Sequence, residues 1–267
     1  MLIDLTYRCS MGCSHCMSDC KKDGEDMKPE TLLVVLEFYQ RHQIPNLVFS
    51  GGEMFENMYI MQLLEIIEQK WDRKFPLTFI TNGRRLSTYV PLYEKVQDMQ
   101  RKYGKKMIVI QVTDDPRFYP ERLTEKQKYR LGKLGALVDT VPGKENKCLY
   151  PQGRALLYYD NSWWNTIAPK CANVRLLTRQ GIRTIHDIVM TLLKAGKICT
   201  PTISPTGEIK LGESALCQSV ASIYDTEEEI IDKIVKCQCH SCQYAWEQLQ
   251  KNNMLAYKIL MPQQEQN

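Results

Sequence analysis

Short apolar segments alternate with longer amphipathic segments through the first half of the 267-residue chain. The apolar segments predict strands, and the amphipathic segments, whose hydrophobic residues recur every three or four positions, predict helices. This alternation is typical of βα units around a parallel sheet. Six strands are predicted, at residues 2–6, 46–50, 76–81, 107–112, 136–141 and, for the sixth, 155–159.

Four helices are predicted between these strands, at residues 29–43, 60–71, 89–103 and 124–134. The first begins at Pro29, because proline is favoured at the first helical position. Each of the first four strands ends in small or polar residues. Parallel α/β folds carry their sites at the carboxyl ends of their strands, so the active site is expected in the loops that follow these four strands.

The second half of the chain loses this alternation. A helix is predicted at 184–195, and the segments 198–204 and 208–211 are predicted to form a hairpin around Pro205-Thr206-Gly207. Asp225 has a side chain suited to an N-cap and predicts a further helix to about residue 235.

Composition and charge exclude several classes of protein. Hydrophobic residues make up 43% of the chain and charged residues 25%, which are ordinary values for a soluble globular protein. No apolar run approaches the roughly 18 residues of a membrane span, and the N-terminus lacks the pattern of a secretory signal, so a cytoplasmic protein without a membrane partner is expected. A net charge of +4 is too weak to indicate a nucleic-acid partner.

Cysteine is unusually frequent, with 11 residues. They form three groups along the chain: Cys9, Cys13, Cys16 and Cys20; Cys148 and Cys171; and Cys199, Cys217, Cys237, Cys239 and Cys242. In a chain without an export signal, clustered cysteines indicate metal or redox chemistry rather than disulfides. No cysteine lies between Cys20 and Cys148, so the two ends of the chain are expected to hold separate sites.

The first group follows the first predicted strand directly. Cys9, Cys13 and Cys16 form a C-x3-C-x2-C arrangement. Three thiolates on a tight loop can bind three irons of a 4Fe-4S cluster and leave the fourth iron open for chemistry. The alternative is a zinc knuckle, in which His15 or Cys20 completes a set of four ligands.

With its position after the first strand and the loops that follow, this triplet resembles that of radical S-adenosylmethionine (radical SAM) enzymes. The resemblance implies that the open iron chelates S-adenosylmethionine (SAM), which an electron from the cluster cleaves to a 5′-deoxyadenosyl radical. Gly51-Gly52-Glu53 matches the GGE motif of that family, which contacts the methionyl amino group, although Met54 replaces the usual proline.

Further cofactor-binding residues follow from the same resemblance. Thr113-Asp114-Asp115 is similar to the Ser-x-Asp of many members, which implies a place for Thr113 and Asp115 near the ribose or carboxylate of SAM. Asn82 lies in a common third-strand ending, though an Asn-Gly pair is also an ordinary turn. His15 occupies the place of the aromatic residue that packs against adenine, and the alternative is a solvated loop residue. Cys20 lies outside the spacing and is expected to be a bystander.

The last group of cysteines predicts a second site. A hairpin that brings Cys199 and Cys217 together, joined by Cys239 and Cys242, provides four ligands for an auxiliary 4Fe-4S cluster, with Cys237 as an alternate ligand. The group resembles the SPASM or shorter twitch extension of peptide-modifying radical SAM enzymes, and Gly153-Arg154-Ala155 is similar to a segment that precedes it. Structural zinc at the same cysteines is the alternative.

The sequence therefore predicts an incomplete (β/α)6 barrel at residues 1–160 and a small cysteine-rich extension at 161–267. The expected function is reductive cleavage of SAM followed by hydrogen-atom abstraction from a peptide or protein, with an electron donor such as flavodoxin or ferredoxin as partner. Two alternatives stay open: an activase or small-molecule synthase of the same superfamily, and a non-catalytic zinc-binding interaction module.

Overall fold

The protein is described by a computed structural model. It describes residues 1–139, 149, 153–159, 163, 183–195, 200–212 and 217–237. Eight strands form a single sheet: β1 (Leu2–Asp4), β2 (Leu47–Ser50), β3 (Leu77–Thr81), β4 (Ile108–Thr113), β5 (Leu137–Asp139), β6 (Thr202–Ile203), β7 (Glu208–Lys210) and β8 (Ser219–Ser222).

The sheet runs in the order β5-β4-β3-β2-β1-β6-β7-β8. Strands β1 to β5 pair in parallel, β6 pairs in parallel with β1, and β7 and β8 continue antiparallel. The predicted α/β class with a mostly parallel sheet is confirmed. The carboxyl ends of β1 to β4 consequently lie side by side at one edge of the barrel wall.

Among the described residues, the helices between successive parallel strands are α1 (Pro29–Arg41), α2 (Ile60–Lys70), α3 (Arg84–Thr88), α4 (Val90–Tyr103), α5 (Glu125–Lys133), α6 (Ala155–Tyr158) and α7 (Ile185–Ala195). A further helix, α8 (Glu227–Lys236), follows β8. A short 3-10 helix, Met54–Glu56, follows β2. The four helices predicted between the strands are found within two residues of the predicted ends, because their apolar residues recur at the helical period. No helix in the described part of the chain has the length and apolar character needed to cross a membrane.

The core lies between the sheet and these helices. Phe79 on β3 packs against Phe49 on β2 and Phe55 in the 3-10 helix, with both pairs of ring centroids 5.9 Å apart. All three side chains are fully buried. Burial of each ring contributes about 1.5–3 kcal/mol, so the strand ends that carry the polar loops are anchored by a rigid apolar layer.

The sixth strand was predicted wrongly. Ala155–Tyr159 was expected to be a strand, but Ala155–Tyr158 forms a single helical turn. Ala155 is buried, and the Tyr159 ring packs against Trp163 with centroids 5.0 Å apart, while Leu157 is exposed. The sixth strand of the sheet is Thr202–Ile203 instead, and it pairs with β1.

The hairpin prediction is confirmed, since β6 and β7 pair antiparallel across the turn that contains Gly207. This hairpin belongs to the predicted extension but hydrogen-bonds to β1 of the barrel, while the boundary at residue 160 stays a prediction. The predicted N-cap of α8 was wrong by one residue. Thr226 caps the helix through a capping box with Glu229, while Asp225 accepts hydrogen bonds from the Ser222 amide and the Lys233 ammonium.

Candidate active site

The loop after β1 brings four thiols into one cleft of about 290 Å³. Cys9, Cys13 and Cys16 line it as the triplet predicts, and Cys20, which the spacing set aside, lines it too. The opposite walls come from the ends of the next three strands and from two further positions: Ser50, Gly51, Gly52, Ile80, Thr81, Asn82, Thr113, Tyr119 and Arg154. The structure therefore places the polar strand ends around the cysteine loop.

The two glycines after β2 allow this loop to pack closely. A Cβ at Gly51 would lie 2.3 Å from the Thr6 carbonyl oxygen, and one at Gly52 would lie 2.4 Å from the Arg8 carbonyl oxygen. The Gly52 amide donates to Thr6 over 2.7 Å, and the Glu53 amide donates to Arg8 over 2.8 Å. The glycines thus hold the start of the cysteine loop directly against the end of β2, a role the sequence alone did not indicate.

Glu53 lies beneath the cleft rather than in its lining and is only 1% exposed. Its carboxylate accepts hydrogen bonds from the Thr81 hydroxyl at 2.6 Å, the Asn82 amide at 2.7 Å and the Phe55 amide at 3.3 Å. Burial raises the pKa of Glu53 to about 7 despite these bonds. The side chain therefore joins the ends of β2 and β3, and one acceptor position on Oε2 remains for a further donor.

Of Thr113, Asp114 and Asp115 at the end of β4, Thr113 alone lines the cleft. Its hydroxyl shares a hydrogen bond with the Tyr119 hydroxyl. Asp115 instead forms a 2.7 Å ion pair with Arg117, whose guanidinium lies over the Phe118 ring. Burial alone would raise the pKa of Asp115, but the hydrogen bonds and charge of Arg117 lower it below its usual value.

His15 lines the cleft and packs against two aromatic rings. Its ring centroid lies 4.6 Å from that of Phe118 and 5.6 Å from that of Tyr119. Burial lowers the pKa of His15 to about 4, so the imidazole is neutral at pH 7. Its Nδ1 is buried without a hydrogen-bond partner among the described residues. The ring is therefore part of a packed aromatic wall and not a solvated loop side chain.

Sequence reasoning gave Arg154 no role in the site, and it likewise assigned none to Tyr119, which also lines the cleft. The Arg154 side chain donates to the carbonyls of Cys13 at 3.0 Å and Cys20 at 2.6 Å and pairs with Asp19 at 3.2 Å, while its amide donates to the Cys16 carbonyl at 2.9 Å. Gly153 permits this approach, because a Cβ there would lie 2.3 Å from the Cys16 carbonyl oxygen. The Gly-Arg-Ala segment was the sequence signal that could have identified Arg154, whose hydrogen bonds fix the backbone of the cysteine loop.

The cysteines differ in their acidity. Burial raises the pKa of both Cys9 and Cys13 to about 12, whereas a hydrogen bond from the Cys20 thiol lowers the pKa of Cys16 to about 6. Two of the three thiols are therefore neutral at pH 7 until a cationic centre binds them, since coordination to a metal deprotonates a thiol outright.

A comparison of the sequence with known families accounts for this arrangement. Residues 3–131 match the family model of the radical SAM superfamily. Residues 3–131 are a radical SAM domain. The matched residues contain the cysteine loop and strands β1 to β4, and the mostly parallel sheet is consistent with the radical SAM partial barrel. Enzymes of this superfamily bind a 4Fe-4S cluster and SAM.

Solved structures show a similar fold. The chain resembles anSMEcpe with bound AdoMet and the Cp18Cys peptide, with a TM-score of 0.53 and 11% identity over 96% of each chain. It also resembles BtrN in complex with AdoMet and 2-DOIA, with a TM-score of 0.50 and 12% identity over 94% of this chain and 91% of that one. No curated protein is significantly similar to the sequence.

The donor set of this radical SAM domain suits a cluster. Within the described residues, no three His, Cys, Asp or Glu side chains are arranged to hold a single metal ion. A 4Fe-4S cluster makes a different demand, because each thiolate binds its own iron. Cys9, Cys13 and Cys16 meet that demand, since their thiols line one cleft on a loop whose backbone is fixed by Arg154.

Most of the ligands predicted for the second site are not among the described residues. Cys199, Cys239 and Cys242 lie outside the described residues, as do Cys148 and Cys171. Cys217 precedes β8 and Cys237 follows α8 directly, and both are half-buried. The auxiliary cluster therefore stays a proposal.

Proposed function

We propose that this enzyme reductively cleaves SAM and that the resulting 5′-deoxyadenosyl radical abstracts a hydrogen atom from a peptide or protein. The main observation in support of this proposal is that Cys9, Cys13 and Cys16 line one cleft together with Gly51 and Gly52. A cluster and SAM bound there supply the radical chemistry. The residues of the chain hold both in place and shape the space for the substrate.

Each wall of the cleft has a part in this proposal. The three cysteines bind three irons, and Gly51 and Gly52 face the methionyl amino group. The remaining acceptor position on Glu53, beneath these two glycines, accepts a hydrogen bond from that group. An ammonium donor to that carboxylate forms a charge-assisted hydrogen bond.

Thr113 and Asn82, which line the cleft, bind the polar groups of SAM, and His15 packs against adenine. Asp115 acts through its neighbours: it holds Arg117 over Phe118, and Phe118 supports the His15 ring.

Two observations support a peptide or protein as the substrate. The C-terminal cysteines resemble those of SPASM or twitch extensions in peptide-modifying enzymes, with Cys199, Cys217, Cys239 and Cys242 as ligands of an auxiliary 4Fe-4S cluster. In addition, anSMEcpe binds the Cp18Cys peptide on a similar fold. BtrN, of similar fold, was solved with 2-DOIA instead, which keeps a small-molecule substrate as the second candidate. We further propose a cytoplasmic enzyme that receives electrons from a flavodoxin or ferredoxin.

The test measures 5′-deoxyadenosine by mass spectrometry after anaerobic reconstitution, dithionite reduction and addition of SAM. The wild type should form it, and the triple variant Cys9→Ala, Cys13→Ala, Cys16→Ala should form none. The matched control is Cys171→Ala, at a cysteine outside both proposed ligand sets, which should leave formation unchanged. Equal formation by the triple variant would remove the assignment of the three ligands.

The substrate class needs a separate measurement. Short peptides encoded beside this gene would be synthesised with deuterium at carbon and incubated with the reduced enzyme and SAM. Deuterium that appears in 5′-deoxyadenosine identifies the peptide as the hydrogen-atom donor. Transfer from a deuterated small molecule, and from none of the peptides, would replace the peptide class with the second candidate.

A further inference from the structure

We propose that Glu56 is a positioning residue for the first iron ligand, because its carboxylate holds the peptide unit that follows Cys9. The GGE motif ends at Glu53 and gives this second glutamate no role. The inference rests on the proposed function, in which Cys9 binds one iron of the cluster. It adds a residue that acts on that ligand through Ser10 and touches neither iron nor SAM.

Glu56 makes two hydrogen bonds to a single residue of the cysteine loop. Its Oε2 accepts from the Ser10 amide at 2.8 Å, and its Oε1 accepts from the Ser10 hydroxyl at 2.6 Å. Hydrogen bonds to an ionised acceptor are stronger than bonds between neutral groups. Ser10 is therefore held to the segment after β2 by its backbone and by its side chain.

These bonds complete the support of the backbone around Cys9. The peptide unit before Cys9 is held by its carbonyl, since the Arg8 carbonyl accepts from the Glu53 amide at 2.8 Å. The peptide unit after Cys9 is held by the Ser10 amide, which donates to Glu56. The direction in which a cysteine side chain leaves the backbone depends on the two peptide units beside it. Glu53 and Glu56 together therefore fix the direction of the Cys9 thiol.

Glu56 lies between two anchored residues. Phe55 is fully buried, and its ring packs against that of Phe79 with centroids 5.9 Å apart. Asn57 is 2% exposed, and its side-chain nitrogen donates to the Leu5 carbonyl at 2.6 Å. Because the backbone on both sides is already fixed, the Glu56 side chain loses little further conformational entropy when it binds Ser10.

The cysteine loop has to present three thiolates at once, because each thiolate binds its own iron. Without the carboxylate, the Ser10 peptide unit is free to turn toward solvent, and the Cys9 thiolate then dissociates from its iron more often. Loss of Glu56 should therefore shorten the lifetime of the cluster without unfolding the domain.

The experiment measures that lifetime in the whole, reconstituted protein under anaerobic conditions. An Fe(II) chelator is added, and EPR of dithionite-reduced samples follows the decay of the signal that changes when SAM binds. That response selects the cluster with the open iron and separates it from any cluster in the tail. Glu56→Ala should accelerate the decay about tenfold, a factor that one hydrogen bond to a charged group can supply. Glu56→Gln keeps an acceptor for the Ser10 amide and should decay near the wild-type rate.

Two further variants control this result. Asp187→Ala removes a carboxylate that accepts from the Thr184 amide at 3.1 Å and from the Thr184 hydroxyl at 2.8 Å, which is the same pair of bonds at the start of α7. It should leave the decay unchanged. Glu56→Met has a side chain of similar length without the carboxylate, and it is compared with Glu56→Gln if the alanine variant does not fold.

A wild-type decay in Glu56→Ala, equal decay in the glutamine and methionine variants, or equal acceleration in Asp187→Ala would overturn the proposal. A wild type without any SAM-responsive signal would contradict the proposed function itself, so the two failures are distinguishable.

Discussion

The guanidinium of Arg154 donates a hydrogen bond to the backbone carbonyl of Cys13, and the two residues are 141 positions apart in the chain. The bond connects the segment around α6 to the middle of the cysteine loop. The same side chain reaches Cys20 and Asp19, so one residue fixes the loop at three points. The geometry of the three cysteines therefore depends on a part of the chain far from them in sequence.

Replacement of Arg154 by glutamine should destabilise the protein by about 3 kcal/mol, because it removes the charged member of a largely buried ion pair with Asp19. Both side chains of this pair are largely buried, at 13% and 12% exposure. The control is Arg84→Gln, whose partner Glu121 is 67% exposed and whose loss should cost less than about 1 kcal/mol. Urea denaturation of the reconstituted proteins measures the free energy of unfolding of both variants. Equal losses in the two would contradict the role of Arg154 in fixing the cysteine loop.

A methyl group at Gly52 should prevent assembly of the cluster site. It would collide with the Arg8 carbonyl oxygen at 2.4 Å and push the cysteine loop from β2. Gly12→Ala is a matched control in the same loop, because a Cβ there meets nothing within 4 Å and only its φ of 68° is unfavourable. Iron content should fall strongly in Gly52→Ala and remain near wild type in Gly12→Ala. Full iron loading of the first variant would show that the loop adapts.

The buried carboxyl of Glu53 should make stability depend on pH. Its pKa in the folded protein is about 7, above the ordinary value of 4.5, so the folded state binds this proton more tightly than the unfolded state. Stability contributed by this group is complete below about pH 4.5 and falls as pH rises to about 7, by roughly 3 kcal/mol in total. Glu53→Gln should lose this slope. Anaerobic urea denaturation without SAM at several pH values measures this dependence. The same slope in Glu53→Gln as in the wild type would contradict the raised pKa of Glu53.

The tail is tested by metal analysis of the triple variant that lacks Cys9, Cys13 and Cys16. If Cys199, Cys217, Cys239 and Cys242 hold an auxiliary cluster, this variant should retain about four irons and remain brown. If the same cysteines hold zinc, it should be colourless with roughly one zinc per chain. Mössbauer spectroscopy and elemental analysis separate these results, and the zinc outcome would withdraw the auxiliary cluster while leaving the first site unaffected.

The first five strands and their helices could be predicted because their signal is local. For β4, for example, the apolar run at 107–112 predicts the observed strand Ile108–Thr113 to within one residue at each end. The residues 155–159 carried no such signal, since a short apolar run suits one helical turn as well as a strand. The pairing of Thr202–Ile203 with β1 joins residues about 200 positions apart, and local pattern does not encode such a contact.

The candidate site was predictable at the level of motifs but not of contacts. Spacing identified Cys9, Cys13 and Cys16, yet it set Cys20 aside, because spacing does not show that the chain turns at Asp19 and returns the next residue to the cleft. The acidic residue of the GGE segment was found, but two of its three protein donors, Thr81 and Asn82, lie at the end of β3, which the spacing does not show. The N-cap of α8, by contrast, could have been predicted from the sequence, because Thr226 and Glu229 have the spacing of a capping box.

The pairing of β6 with β1 also affects how the chain avoids self-association. Thr202 and Ile203 cover the side of β1 that faces away from β2, and the Leu2 amide donates to the Pro201 carbonyl over 2.8 Å. A chain truncated before this hairpin would present the unpaired backbone of β1, and an open strand of this kind is a template for addition of another molecule. The hairpin therefore covers the backbone of β1, and shortened forms of this enzyme should aggregate even when every residue of the cysteine loop is retained.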